Sequence, residues 1–210
     1  MDATRFHRLI QRLDELNSQD PHTLVLEGVA HPTELLYALQ VTRWVERLDP
    51  NASEALRIAA RGQHVCRWTI PRDRYAHNRQ GYLQWRETLK AFHMQKVAEL
   101  MREAAYTDTE IEHVQRLMSK RHLMADPEAQ TLEDALCLAF LETQFSEFRH
   151  KTPDDKMREI LRKTWQKMSA RARAAAGNLA LGEEERQFLE HTLSTSTPSS
   201  DCNEPQTPLQ

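Results

Sequence analysis

The chain has 210 residues and a formal net charge of −3, enough length for one domain with a buried core and a balance that counts against a general nucleic-acid binder. Its three cysteines, Cys66, Cys137 and Cys202, show no paired spacing, which favours a reducing compartment. No segment approaches the roughly 20 apolar residues of a membrane span, and the first residues lack a signal core. We therefore expect a soluble, cytoplasmic protein without a membrane segment.

Apolar residues recur at spacings of three and four along most of the chain, and there are only five glycines. This pattern predicts an all-α fold with one compact multi-helix domain over residues 1–193. Residues 194–210 are rich in Ser, Thr and Pro and contain almost no apolar residues, so they predict a disordered tail.

The helical pattern can be followed in chain order. A short extended piece is predicted at 23–29, with a turn at Glu27 and Gly28. A helix that runs from a cap at Asn51 or Ser53 up to Pro71 would carry His64. The sixth helix is apolar on every face between 135 and 141, which predicts a central, fully surrounded helix. Helices are expected at about 3–17, 33–48, 53–70, 78–106, 107–118, 131–142, 152–177 and 183–193.

Positive charge is concentrated in the middle of the chain. Residues 54–102 contain ten Lys and Arg residues and four Asp and Glu residues, although the whole chain is acidic. A local cationic field in an acidic protein favours a specific small anionic ligand, for example one that carries phosphate.

Two helix faces within this region combine basic, aromatic and histidine side chains. On the predicted third helix they are Arg57, Arg61, His64 and Trp68, and on the fourth helix they are Tyr82, Arg86, Lys90 and His93. Either face alone is more typical of a solvated surface with an incidental histidine. Two such faces on consecutive helices favour a binding site.

Acidic residues stand at the heads of two helices with buried faces. Glu34 extends the core face of the second helix, and Glu133 and Asp134 begin the sixth helix. A carboxylate in such a place must be paired, hydrogen-bonded or bound to a metal, because an isolated buried charge costs several kcal/mol. The simpler interpretation is that acids at a helix start interact favourably with the helix dipole.

Six segments together resemble an uncharacterised family, domain of unknown function 4202. They cover nearly the whole chain apart from the tail, and the family name implies no established activity. The segments are ELLY at 34–37, AARGQH at 59–64, RWTIPR at 67–72, GYLQWR at 81–86, QTLED at 130–134 and KTWQKMS at 163–169.

The order of elements is also distantly similar to the HD superfamily of metal-dependent phosphohydrolases. The resemblance places His64 at the histidine of the His-Asp pair, His93 at a later histidine and Asp134 at the last aspartate. Glu34 stands where that family has its first histidine, and Val65 replaces the aspartate of the pair, which argues against a two-metal centre. The resemblance implies an HD-like fold and a divalent cation, with oxygen ligands favouring manganese or magnesium.

The leading hypothesis is a metal-dependent phosphohydrolase that acts on a nucleotide or another small phosphate ester. Glu34, His64 and Asp134 would be catalytic, and the same three residues with His93 would hold the metal that activates water. Each arginine would bind two phosphate oxygens in a bidentate manner, and aromatic rings would stack on a base. The expected substrate-binding residues are Arg61, Arg67, Trp68, Arg72, Tyr82, Trp85, Arg86 and Lys90.

Two alternatives stay open. A non-catalytic anion-binding, nucleotide-binding or interaction module would use Glu34 and Asp134 in buried salt bridges with Arg61 or Arg86, without a metal. An RNA or tRNA binder would need a basic surface that extends well beyond one site, and the acidic net charge counts against it.

The segment KMSAR at 167–171 resembles the nucleotide-binding signature of class I aminoacyl-tRNA synthetases. That signature works beside a parallel sheet, and the chain lacks the strand and helix alternation that such a sheet requires. We therefore interpret 167–171 as part of the helix predicted at 152–177, with Met168 on its core face.

Overall fold

The computed structural model describes residues 3–26, 28–119 and 126–194, without the side chains of Ala3 and Leu26. Helices dominate these ranges, which confirms the all-α prediction. The predicted tail lies outside them except for Ser194, which ends the last helix. The helices are α1 (Ala3–Asn17), α2 (Thr33–Leu48), α3 (Glu54–Gly62), α4 (Arg79–Glu103), α5 (Asp108–Ser119), α6 (Pro127–Thr143), α7 (Phe145–Lys151), α8 (Asp154–Lys167), α9 (Ala170–Ala176) and α10 (Glu183–Ser194).

Helix α6 is the centre of the core, as its apolar sequence predicted. Every residue from 131 to 139 is buried, including the polar ones near its start. It packs against α2, and the Arg43 and Trp44 side chains of α2 both donate to one carboxylate oxygen of Glu142, at 2.7 and 2.8 Å. No helix in the described ranges is long and apolar enough to cross a membrane.

A small antiparallel hairpin precedes α2 and helps to define where that helix begins. Strand β1 (Thr23–Leu26) pairs with β2 (Val29–Pro32), and Gly28 has a φ of +80°, a conformation that glycine adopts without strain. Pro32 precedes α2 and provides no side-chain cap. The Asp20 carboxylate instead accepts a hydrogen bond from the Glu34 backbone N–H at 3.0 Å.

The third helix is shorter than predicted, because α3 ends at Gly62 instead of continuing to Pro71. A Cβ at Gly62 would lie 2.4 Å from the Cγ2 atom of Val97 in α4, so the two helices approach closely there. After Gly62 the chain turns through Cys66, whose φ is +54° and whose N–H donates to Asn17 in α1 at 3.1 Å. The predicted shared face of Arg57, Arg61, His64 and Trp68 is therefore wrong beyond Gly62.

The helix predicted at 152–177 is in fact two helices, α8 and α9, separated at Met168 and Ser169. Ser169 is the N-cap of α9, and its hydroxyl accepts from the Ala172 N–H at 3.2 Å. The interpretation of 167–171 as continuous helix is wrong, although Met168 is buried as expected. The short helix α7 was not predicted from the sequence.

Replacing Gly62 by alanine tests the close approach of α3 and α4. Val97 is fully buried, so the added methyl group forces a shift in the packed core, and we expect Gly62→Ala to lower the free energy of unfolding by about 1–3 kcal/mol. Urea denaturation measures this loss. Gly177→Ala is the matched control, because its new Cβ would come no closer than 3.5 Å to another residue. Equal stability of the Gly62 variant and wild type would contradict the tight contact.

Candidate functional site

Several predicted site residues meet where the head of α2, the turn after α3 and helix α4 come together. We call this group the Glu34 cluster. It contains a carboxyl group, two imidazoles, a guanidinium and two aromatic rings, and part of it reaches the surface. Its members are Glu34, Tyr37, His64, Arg67, Trp85 and His93.

The Glu34 carboxyl group connects the cationic members of the cluster. One oxygen, Oε2, lies 3.3 Å from Nδ1 of His64, and the other, Oε1, lies 3.5 Å from Nε of Arg67. The Glu34 side chain is only 13% exposed, whereas His64 and Arg67 are 24% and 29% exposed. One mostly buried carboxyl group therefore serves two partners that both reach solvent.

Burial raises the pKa of Glu34 from its ordinary value to about 7. The positive charge of Arg67 works in the opposite direction, and the nearby negative charge of Asp20 adds to the increase. The imidazoles of His93 and His22 lower this pKa by smaller amounts. The carboxyl group consequently gains or loses its charge close to neutral pH.

Tyr37 holds the plane of the His64 ring. The two rings are stacked with centroids 4.6 Å apart and an angle of 11° between their planes. Tyr37 is itself buried one helical turn after Glu34, and burial raises the pKa of its hydroxyl group, so the phenol stays neutral. The imidazole of His64 is thus confined on one face by a rigid neighbour.

His93 lies behind His64 and is almost completely buried. Its Nδ1 is 2.9 Å from the carbonyl oxygen of Val65, and because a carbonyl only accepts, this nitrogen carries the proton. Its Nε2 is buried and has no hydrogen-bond partner among the described residues. Burial, with a smaller contribution from the neighbouring His64, lowers the pKa of His93 to about 3, so His93 is neutral at physiological pH.

Arg67 and Trp85 form the more accessible side of the cluster. The guanidinium carbon of Arg67 lies 4.8 Å from the centre of the Trp85 ring, within cation–π range. The indole N–H of Trp85 donates to the carbonyl oxygen of Ile70 at 2.9 Å, which orients the ring. Burial lowers the pKa of Arg67, with Glu34 opposing this and Arg86 adding to it.

Arg72 also lies near the Trp85 ring, but its hydrogen bonds hold the backbone. Its guanidinium carbon is 6.0 Å from the Trp85 ring centre, and its terminal nitrogens donate to the carbonyls of Tyr75 and Ala76 at 2.9 and 2.8 Å. These hydrogen bonds hold the loop that leads into α4. Arg72 therefore contributes positive charge to the site while its donors are used by the backbone.

Tyr82 and Arg86 form the exposed rim. Arg86 donates to the Tyr82 hydroxyl oxygen at 3.3 Å, and the Tyr82 ring centre is 6.0 Å from that of Trp85. Both side chains are on the solvent side of α4. They are available to a ligand that enters beside Trp85.

Three predicted substrate-binding residues have other partners. Arg61 pairs with Asp14 of α1 at 3.5 Å, and Trp68 packs against the hydrophobic core. Lys90 lies 3.9 Å from Glu87 and lines a groove between α4 and α5. The end of α3 at Gly62 explains the position of Trp68, because the predicted face does not continue past that residue. Arg61 lies within α3, and its partner Asp14 belongs to α1.

Asp134 is fully buried and both of its oxygens are occupied. Oδ1 accepts from the Ser169 N–H at 2.8 Å and from the Gln130 side chain at 2.9 Å, and Oδ2 accepts from the Ser169 hydroxyl at 2.5 Å. Asp134 thus holds the start of α9. Its neighbour Glu133 is 3.3 Å from the Lys167 ammonium group.

The residues present do not fit the divalent cation that the HD resemblance implies. In the part of the chain that the structure describes, no group of three or more His, Cys, Asp or Glu side chains is arranged to hold a metal ion. His93 and His64 are neighbours, with ring centres 5.9 Å apart, but Asp134 is committed to Ser169. The predicted set of four ligands is not assembled.

Two contributors to the site were not predicted from the sequence. Tyr37 lies three residues after Glu34 and so shares its face. Asp20 contacts the head of α2, and this contact joins residues 14 positions apart. Of these two residues, only Tyr37 could have been found from the helical spacing within its own segment.

Comparison with known proteins identifies the family. The family model described as Domain of unknown function (DUF4202) matches residues 7–189, which include the whole Glu34 cluster. The chain belongs to this family. No curated protein and no solved structure matches the chain. Nothing in these comparisons supports the HD resemblance, which stays a hypothesis for this DUF4202 protein.

Asp134→Asn separates a structural role from a metal-binding role. The amide keeps one acceptor but loses the charge and places an NH₂ group beside the Ser169 donors, so we expect the free energy of unfolding to fall by about 1–3 kcal/mol. Thermal and urea unfolding measure this change, with exposed Asp154→Asn as the control. Unchanged stability together with loss of manganese binding would instead favour a metal ligand.

Glu34→Gln tests the burial of the carboxyl group through pH. The pKa of Glu34 is raised in the folded state, so its contribution to stability is present below pH 4.5 and is lost as pH rises through about 7. Glutamine resembles the protonated form, so the variant should gain up to about 3 kcal/mol relative to wild type between pH 5 and pH 8. Exposed Glu112→Gln is the control. The same difference in the free energy of unfolding between Glu34→Gln and wild type at pH 5 and at pH 8 would contradict the shifted pKa.

Proposed function

We propose that this DUF4202 domain binds a small phosphate-containing anion, such as a nucleotide, at the Glu34 cluster without a metal ion. The observation that carries the proposal is the environment of Arg67. Its Nε faces Glu34 and its guanidinium lies over Trp85, while its two terminal nitrogens make no hydrogen bond to any described residue. A planar fork of donors in this position suits two oxygens of one phosphate group.

The charge of the surroundings supports an anionic ligand. Arg67 and Arg72 both lie near the Trp85 ring, and the charge of Arg86 is close enough to lower the pKa of Arg67. The carboxyl group that faces them, Glu34, is protonated in part of the molecules near pH 7. The site therefore carries an excess of positive charge in a protein whose net charge is −3, and an anion would relieve it.

The aromatic residues favour a ligand that also contains a ring. Trp85 is partly exposed and fixed by its hydrogen bond to Ile70, and Tyr82 stands beside it at the surface. A base can stack on such a ring while its phosphate reaches Arg67. This combination supports a nucleotide over a free inorganic anion.

The other two hypotheses have less support. The metal-dependent phosphohydrolase needs ligands that converge on one ion, and Asp134 is engaged elsewhere. The RNA or tRNA binder needs a basic surface larger than one site, and the basic residue Arg61 already pairs with an acid. Anion binding without a metal needs only the contacts that the cluster makes.

Arg67→Gln tests the proposal directly. Isothermal titration calorimetry at low salt should show that wild type binds AMP and that the variant binds at least tenfold more weakly, because two charge-assisted hydrogen bonds are lost. Arg102→Gln is the control, since this exposed arginine lies in the last turn of α4, about 24 Å along the helix from Arg86.

Two results would contradict the proposal. The first is no binding of AMP or phosphate to folded wild type at millimolar concentration. The second is equal AMP affinity in Arg67→Gln and wild type. Tighter binding of a single-stranded RNA than of AMP, with a steep loss of affinity in salt that Arg67→Gln does not change, would favour the RNA alternative.

A further inference from the structure

We propose that Glu34 and His64 form a proton-transfer pair with which the site hydrolyses a bound phosphate monoester, His64 acting as the general base. This inference rests on the proposed anion binding and adds a reaction to it. It needs no metal ion and no cofactor. The substrate class is a monoester whose alcohol carries an aromatic ring, such as a nucleoside monophosphate.

The side chains of Glu34 and His64 contact each other. A carboxylate beside Nδ1 of an imidazole favours the tautomer that carries its proton on Nδ1, and this leaves Nε2 as the basic nitrogen. Glu34 Oε2 occupies that place on His64, at 3.3 Å. In the molecules in which Glu34 is ionised, this carboxylate stabilises the imidazolium that forms once the base has taken a proton.

Both partners are held in place. The backbone N–H of Glu34 is fixed by Asp20, and the ring of His64 is stacked on Tyr37. A base contributes to catalysis only if its orientation persists while the substrate is bound. His64 has this restraint and still exposes about a quarter of its side chain, so a bound ester can approach it.

The neighbouring histidine, His93, does not oppose the charge of a protonated His64. A second imidazolium 5.9 Å away would repel the charge that develops on His64. His93 is instead buried, where the charged form of an imidazole is disfavoured. The lowered pKa of His93 agrees with a neutral ring. Of the two histidines, His64 is the one whose side chain reaches solvent and can meet a bound ester.

The reaction balances with water as the only co-substrate. His64 takes a proton from water as the water oxygen forms a bond to phosphorus and the phosphorus–oxygen bond of the ester breaks. The departing alkoxide oxygen, on the opposite side of phosphorus, takes a proton from solvent, and the imidazolium returns its proton to solvent. Arg67 and Arg86 neutralise the charge on the other phosphate oxygens, and the products are one alcohol and one inorganic phosphate.

His64→Ala and His64→Gln test the inference in the full chain, in buffer that contains EDTA. The substrates are AMP and p-nitrophenyl phosphate, and released phosphate is measured. We expect wild type to turn over both esters, and each His64 variant to lose at least 100-fold in kcat while its affinity for AMP changes less than threefold. Added imidazole should restore part of the activity of His64→Ala, an effect that a structural role would not produce.

Glu34→Gln tests the positioning role of the carboxylate, and exposed His77→Ala is the control for histidine loss. The Glu34 variant should lower kcat with little change in KM, and the His77 variant should match wild type. Circular dichroism establishes that each variant is folded. If His64→Ala does not fold, the kcat of His64→Gln alone tests the role of His64.

The outcomes also separate this inference from the proposed anion binding. AMP binding in calorimetry without turnover in wild type would overturn the proton-transfer pair and leave the binding proposal intact. Turnover that His64→Gln retains would overturn it as well. Activity that vanishes in EDTA and returns with manganese would replace it with the metal-dependent hypothesis. A lack of both AMP binding and turnover would refute both proposals.

Discussion

The contact between Gly62 and Val97 sets the distance between α3 and α4, and the Glu34 cluster depends on that distance. A side chain at position 62 would occupy the space that Val97 fills. α3 ends at this point of contact, and the following turn places Val65 against His93 and His64 against Glu34. A glycine in a helix is normally a weakness, and here it permits the approach that builds the site.

The carboxyl group at the head of α2 is in an unfavourable position for stability alone. Glu34 is mostly buried, and its two partners lie 3.3 and 3.5 Å away in loose ion pairs. Hydrophobic residues of similar volume are often at least as stable as a buried ion pair. Such an arrangement is typical of functional sites, where shifted pKa values reflect a balance between folding and chemistry. The buried Nε2 of His93, which lacks a partner among the described residues, fits the same interpretation.

The sequence predicted what depends on local pattern. The continuous apolar run of α6 predicts the centre of the core, and the periodicity of α2 predicts that Glu34 stands at the head of a buried face. The predictions that were wrong depend on contacts between residues that are far apart in the sequence. The end of α3 depends on Asn17 and Val97, which lie 49 residues before Cys66 and 35 residues after Gly62. Periodicity within a helix contains no information about either.

The six segments that resemble the family divide into two groups in space. The segments at 130–134 and 163–169 meet each other, because Asp134 binds Ser169 and Gln130 binds the Lys167 carbonyl. This contact ends α8 and begins α9, so it accounts for both segments through folding. The other four segments contribute Glu34, His64, Arg67 and Trp85, which meet in one partly exposed cluster. Packing explains the first group fully. It does not explain why a buried acid should face an imidazole and a guanidinium in the second group, and the proposed anionic ligand would use these groups.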